Sequence, residues 1–71
     1  MQGIREVQIE GETIRLAQLL KLAGIAQTGG EAKAILAEGV SVNGEPEVRR
    51  GRQLRAGDVV EAAGESVRVT A

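Results

Sequence analysis

The chain has 71 residues, no Phe, Tyr or Trp, no Cys, no His, and a formal net charge of −1 at pH 7. A chain this short buries only about 60% of its unfolded surface, so one small domain is expected, spanning residues 1–71, with a core of Leu, Ile, Val and Ala. Without Cys or His there is no disulfide, no thiol or histidine nucleophile and no ordinary zinc site. Without aromatic rings the usual platforms for stacking single-stranded bases are missing.

Residues 4–10 predict the first strand, since Val7 and Ile9 alternate with Glu6, Gln8 and Glu10 at the period of a half-buried strand. Ile4 breaks that parity, which implies a bulge or a later start. The first eleven residues contain no basic segment followed by an apolar one, so no signal peptide is expected. No apolar run approaches the roughly 20 residues of a membrane span, and the default location is the cytoplasm.

Thr13 predicts the N-cap of a first helix whose apolar stripe is Leu16, Leu19, Leu20 and Ala23, with Gly24 as its stop. Thr28-Gly29-Gly30-Glu31 fits a capping box and opens a second helix with the stripe Ala32, Ile35 and Leu36, ended by Gly39. Two short, nearly contiguous helices must meet as a corner. Gly29 and Gly30 offer bare amides at a helix start, which suits phosphate, but Glu31 places negative charge in the same turn. The glycine corner is therefore read as a feature of shape and packing rather than a phosphate cradle.

Val40-Ser41-Val42 predicts a strand running into Asn43-Gly44, the strongest short hairpin signal. Pro46 places the returning strand at an edge, and Val48 is its expected apolar anchor. Leu54 is the next anchor, Ala56-Gly57-Asp58 a turn, and residues 59–69 a closing hairpin around Gly64.

Arg49, Arg50, Arg52 and Arg55 put four positive charges into seven residues that contain no acid, so the rest of the chain carries a net charge of −5. A local basic patch on an acidic body suits a polyanion bound in one orientation. The competing reading is a solvated segment whose arginines pair with nearby Glu. Arginine supplies a planar fork of donors matched to phosphate. With no aromatic ring, RNA contact is expected to rest on phosphates, 2′-hydroxyls and shape, as on a structured stem, although the exclusion of base stacking is not absolute because arginine can still stack on a base.

Several spaced blocks resemble a known family. They are Arg15-Leu16, residues 19–26 (LLKLAGIA), Glu31-Ala32-Lys33, Glu38-Gly39, Val42-Asn43-Gly44, Arg50-Gly51-Arg52, Leu54-Arg55 and Gly57-Asp58-Val59-Val60. Together they resemble the RNA-binding domain first described in small-subunit ribosomal protein four, over roughly Ile14 to Val60. The short stand-alone form resembles the bacterial YbcJ-like proteins. The resemblance implies an α+β fold, the alpha-L RNA-binding motif, with two short helices packed on a small, curved, mostly antiparallel sheet. It implies RNA lying across the helices and the loop after the Val-Asn-Gly turn. Carried over by position, the contact candidates are Arg15, Lys21, Thr28, Gly29, Gly30, Lys33, Asn43, Arg49, Arg50 and Arg52. Ala17, Ala34 and Ala37 stand where polar or basic residues are common in that family, which leaves more of the work to Arg49, Arg50 and Arg52.

The expected function is a small, non-enzymatic, ribosome-associated RNA-binding protein that takes structured RNA, ribosomal or transfer RNA foremost. No cofactor, metal, small-molecule substrate or membrane is expected. The alternative is an adaptor that keeps the fold and binds the ribosome or another protein without significant RNA affinity.

Overall fold

The computed structural model describes residues 3–71; the first two residues of the N-terminal stretch read above lie outside them. Seven strands and two helices follow in the order β1 (Arg5–Gln8), β2 (Ile14–Arg15), α1 (Leu16–Leu22), α2 (Gly29–Glu38), β3 (Val40–Val42), β4 (Glu45–Pro46), β5 (Gln53–Leu54), β6 (Val59–Ala62) and β7 (Glu65–Thr70). Five strands form one sheet in the order β1-β7-β6-β3-β4, and β2 pairs with β5 in a separate two-stranded ladder. Every pairing is antiparallel except that of β1 with β7, where Arg5 lies opposite Val67 and Gln8 opposite Thr70. Two helices on a mostly antiparallel sheet is the expected fold class.

The core joins the helix stripes to the inner face of the sheet. Leu16, Leu19, Leu20 and Ala23 from the first helical stretch, and Ala32 and Leu36 from α2, pack with Val40, Val42, Val60, Val67, Val69 and Leu54. Branched aliphatic side chains at alternate strand positions fill one face of the pleat, and this compensates for the missing aromatic rings. The first strand is shorter than the expected 4–10. It starts after the exposed Ile4, and Ile9 continues the pairing just beyond it by donating its amide to the Thr70 carbonyl at 2.8 Å.

The helix ends show how the sequence signals worked. Thr28 caps α2 as expected, its Oγ1 accepting the Glu31 amide at 3.1 Å. The Glu31 carboxylate accepts the Gln27 amide at 2.8 Å, one residue before the position a standard capping box uses. Gly24 (φ +76°) follows the end of α1 as expected. Asn43 (φ 52°) and Gly44 (φ 84°) both take the positive φ that a type I′ turn needs.

Two expectations are corrected. Thr13 does not cap α1. Ile14 and Arg15 are drawn into the ladder with Leu54 and Gln53, so the helix begins at Leu16 with Arg15 in the cap position and no side-chain cap. Val48 is not an anchor: it is 80% exposed, while its neighbour Glu47 is only 7% exposed. The Glu47 amide donates to the Val40 carbonyl at 2.8 Å, which extends the register of β4 on β3 by one pair. Strand alternation then turns Glu47 toward buried Val40 and Val48 toward solvent.

Candidate nucleic-acid interface

Residues 47–52 are organised around the Glu47 carboxylate. Its Oε2 accepts the amides of Val48 and Arg49, each at 3.0 Å, and the Arg49 Nε at 3.1 Å. Its Oε1 accepts Arg49 Nη2 at 3.1 Å and Arg52 Nη1 at 2.8 Å. The five donors share the roughly four lone-pair directions of an ionised carboxylate, three of them converging on Oε2, and burial without such partners would be costly. The Arg49 side chain, then the Arg52 side chain, then the Arg49 amide hold the Glu47 carboxyl far below the usual carboxylate range against the opposing effect of burial. Reciprocally, the hydrogen bond to Glu47 raises the Arg49 pKa above its ordinary value.

The same loop supplies the missing cap of α1. The amides of Leu16 and Ala17, orphans of the first helical turn, donate to the carbonyls of Arg52 (2.8 Å) and Arg50 (3.0 Å). Strand β5 follows at once and pairs with β2, so the basic loop is tied to the start of α1 on both sides. This backbone attachment places Arg50 beside the exposed faces of both helices.

Two shallow hollows meet at Arg50. One, of about 350 Å³, is lined by Arg15, Ala17, Gln18, Lys21, Gly29, Arg50 and Gly51. The other, of about 380 Å³, is lined by Lys33, Leu36, Ala37, Val48 and Arg50. Arg15, Lys21, Lys33 and Arg50 are exposed and make no ion pair among the described residues. The ion pairs there lie elsewhere, Arg5 with Glu65, Arg49 and Arg52 with Glu47, and Arg68 with Glu6. The surface thus presents unneutralised cations from the first helical region, α2 and the loop around adjoining depressions, an arrangement suited to several phosphates at once.

The structure distributes the ten candidates unevenly. Arg15, Lys21, Gly29, Lys33 and Arg50 line the two hollows. Arg49 and Arg52 line neither hollow and share their charge with Glu47, although the Arg49 side chain is still 72% exposed. The Thr28 hydroxyl is committed to the helix cap. The Asn43 side chain is committed to a second turn: Nδ2 donates to Asp58 Oδ1 at 3.0 Å, and Oδ1 accepts the Val59 amide at 2.9 Å. Burial alone would raise the Asp58 carboxyl; the Arg55 amide, the Asn43 side chain and the charges of Arg52 and Arg55 outweigh it and hold Asp58 below its ordinary pKa.

Gly29 and Gly30 were expected to be small for packing. A Cβ on Gly29 would meet nothing within 4 Å, and one on Gly30 would meet only Thr28 Oγ1 at 3.8 Å. Packing therefore does not require glycine at either position.

Sequence reasoning did not single out Glu47. The available signal was an acid two residues before Arg49 and five before Arg52, on a strand whose parity runs from Val40 rather than from the nearest valine.

The S4 domain family matches residues 7–70. The "Probable ribosome maturation protein RlbA" of Bacillus subtilis (strain 168) is 54% identical over 59 residues, covering 82% of this chain and 83% of that one. The "Putative RNA-binding protein YbcJ" of Escherichia coli (strain K12) is 44% identical over 59 residues, covering 82% of this chain and 84% of that one. The solution structure of E. coli YbcJ, described as revealing an alfaL motif involved in RNA-binding, superposes with a TM-score of 0.76 and 37% identity over 100% of this chain and 92% of that one. With the helix corner, the docked basic loop and the mostly antiparallel sheet in place, these matches identify the chain as a member of the S4 domain family.

Proposed function

We propose that this chain is a non-enzymatic RNA-binding protein that docks structured RNA, ribosomal RNA foremost and transfer RNA next, in the cytoplasm. The observation that carries this reading is the set of unneutralised cations, Arg15, Lys21, Lys33 and Arg50, around two hollows that share Arg50. Phosphate contacts of this kind fix orientation without reading sequence, and shape decides the partner. The ribosome maturation role in the name of the B. subtilis relative supports ribosomal RNA as the first target to test.

The experiment is a binding titration of the protein against a structured ribosomal RNA fragment over a range of salt. Four phosphate contacts on a duplex-like stem give a log–log salt slope of roughly −3.6. A flat salt response, or unchanged affinity after combined Arg49→Ala and Arg50→Ala, overturns the reading. The adaptor alternative is favoured by the neutralisation of Arg49 and Arg52 by Glu47. It requires a protein partner that stays bound after nuclease treatment, with no RNA retained.

A further inference from the structure

We propose that the hollow between α2 and the basic loop is the seat of one unpaired nucleotide, its base lying against Val48 and Leu36 and its phosphate held by Lys33 and Arg50. The inference rests on the RNA-binding reading and deepens it, because the cations alone call only for phosphates.

The argument starts from Val48. A single exposed valine is ordinary. Here, however, the chain turns a carboxylate inward and the adjacent valine outward, leaving Val48 80% exposed while Glu47 is 7% exposed. The backbone is braced around it: the Val48 amide and the following Arg49 amide donate to Glu47 Oε2, each at 3.0 Å, and the preceding Glu47 amide donates to the Val40 carbonyl at 2.8 Å. An apolar group is thus displayed on a braced backbone. It shares the hollow with Leu36 and Ala37, and the two other lining residues are Lys33 and Arg50.

An apolar wall sharing one hollow with two cations is complementary to a ligand with one flat, weakly polar part and an anion beside it. A base in a helical stem cannot supply this, because its faces are covered by its neighbours. An unpaired or extruded nucleotide can, and the missing aromatic rings leave aliphatic side chains and the Arg50 guanidinium plane as the surfaces available to it. The neighbouring hollow at Arg15, Lys21 and Gly29 has no large apolar side chain in its lining. The two depressions therefore have different occupants, backbone phosphates in one and a nucleotide in the other.

The test compares two hairpin RNAs that differ only by one extruded purine in the stem, measured against the wild-type chain, Val48→Ser and Arg50→Ala. Val48 is exposed, so Val48→Ser leaves the far-UV circular dichroism spectrum and melting temperature unchanged. The expected result is that Val48→Ser weakens binding of the bulged hairpin about five- to tenfold, the scale of one or two methyl groups removed from water, and leaves the fully paired hairpin unaffected. Val48→Phe should tighten the bulged hairpin selectively. Equal loss on both RNAs, or no loss on either while Arg50→Ala weakens both, overturns the nucleotide seat and leaves the RNA reading standing. No loss for either RNA with either variant overturns both, and assigns the apolar wall to a partner other than RNA.

Discussion

The Ala17 amide donates to the Arg50 carbonyl at 3.0 Å, so the first turn of α1 and the backbone of the basic loop at Arg50 are held together. The bond uses only the backbone of Arg50 and leaves its side chain available to a ligand. Arg50→Ala should therefore keep the fold, with an unchanged melting temperature, while weakening structured RNA about tenfold and flattening the salt slope by about one. Arg50→Lys should recover part of the loss, because the charge returns without the fork. Filter binding at several salt concentrations measures both effects.

Glu47 makes stability depend on acid. Its carboxyl is held far below the value of an unfolded glutamate, so its contribution is fully present above the unfolded pKa of about 4.3 and is lost as pH falls below it toward the folded pKa. Asp58 is lowered as well and acts in the same direction. The urea midpoint, followed by far-UV circular dichroism, should be flat near neutrality and fall below about pH 4. Glu47→Gln should lower the midpoint at pH 7 and reduce the acid dependence without abolishing it, since Asp58 remains. An acid profile identical to that of the wild type would show that Glu47 is not the group responsible.

The corner offers two substitutions of opposite sign. Thr28→Ala removes the acceptor of the Glu31 amide and should destabilise by about 1 kcal/mol, with Thr28→Ser largely neutral. Gly30→Ala places a methyl in nearly open space and replaces the poorest ordinary helix former, so it should stabilise by up to about 1 kcal/mol. If RNA backbone approaches the bare amides, Gly29→Ala and Gly30→Ala will weaken binding even as they raise the melting temperature. If it does not, both quantities rise or stay level together.

Leu54 joins the two-stranded ladder to the core. It is fully buried, lies opposite Ile14 and belongs to the cluster containing Leu16 and Leu19. Leu54→Ala should cost about 2–5 kcal/mol through lost transfer energy and a cavity. That approaches the whole stability of a small domain, so the variant should be largely unfolded at 37 °C by circular dichroism.

These sites differ in how far the sequence revealed them. The helix stripes, the Thr28 cap and the Asn43-Gly44 turn were legible because each is a local pattern with one physical cause. Thr13 failed as a cap because Ile14 and Arg15 are claimed by a strand some forty residues onward, a partner outside any local window. Val48 is not an anchor because hydrophobicity alone does not set orientation; the register against Val40 decides which side chain faces in. At the candidate interface, charge was visible but its partners were not. Arg49 and Arg52 looked as available as Arg50, and only the folded loop brings Glu47 within 3.1 Å of Arg49 and 2.8 Å of Arg52.

The parallel pairing of β1 with β7 also bears on the order of assembly. Arg5 meets Val67, so this contact closes a loop of roughly sixty residues, while the β6–β7 hairpin and the helix corner close short ones. Loop-closure entropy puts the long closure last. As the chain is synthesised, Arg5 emerges roughly sixty residues before the Val67 it pairs with. Until then its inner neighbour is absent, and the Arg5 side chain, which donates to the Ala23 carbonyl at the end of α1, has no sheet to hold it there. Amides that depend on this pairing should acquire hydrogen-exchange protection after those of β6 and α2, and lose it first on gentle destabilisation.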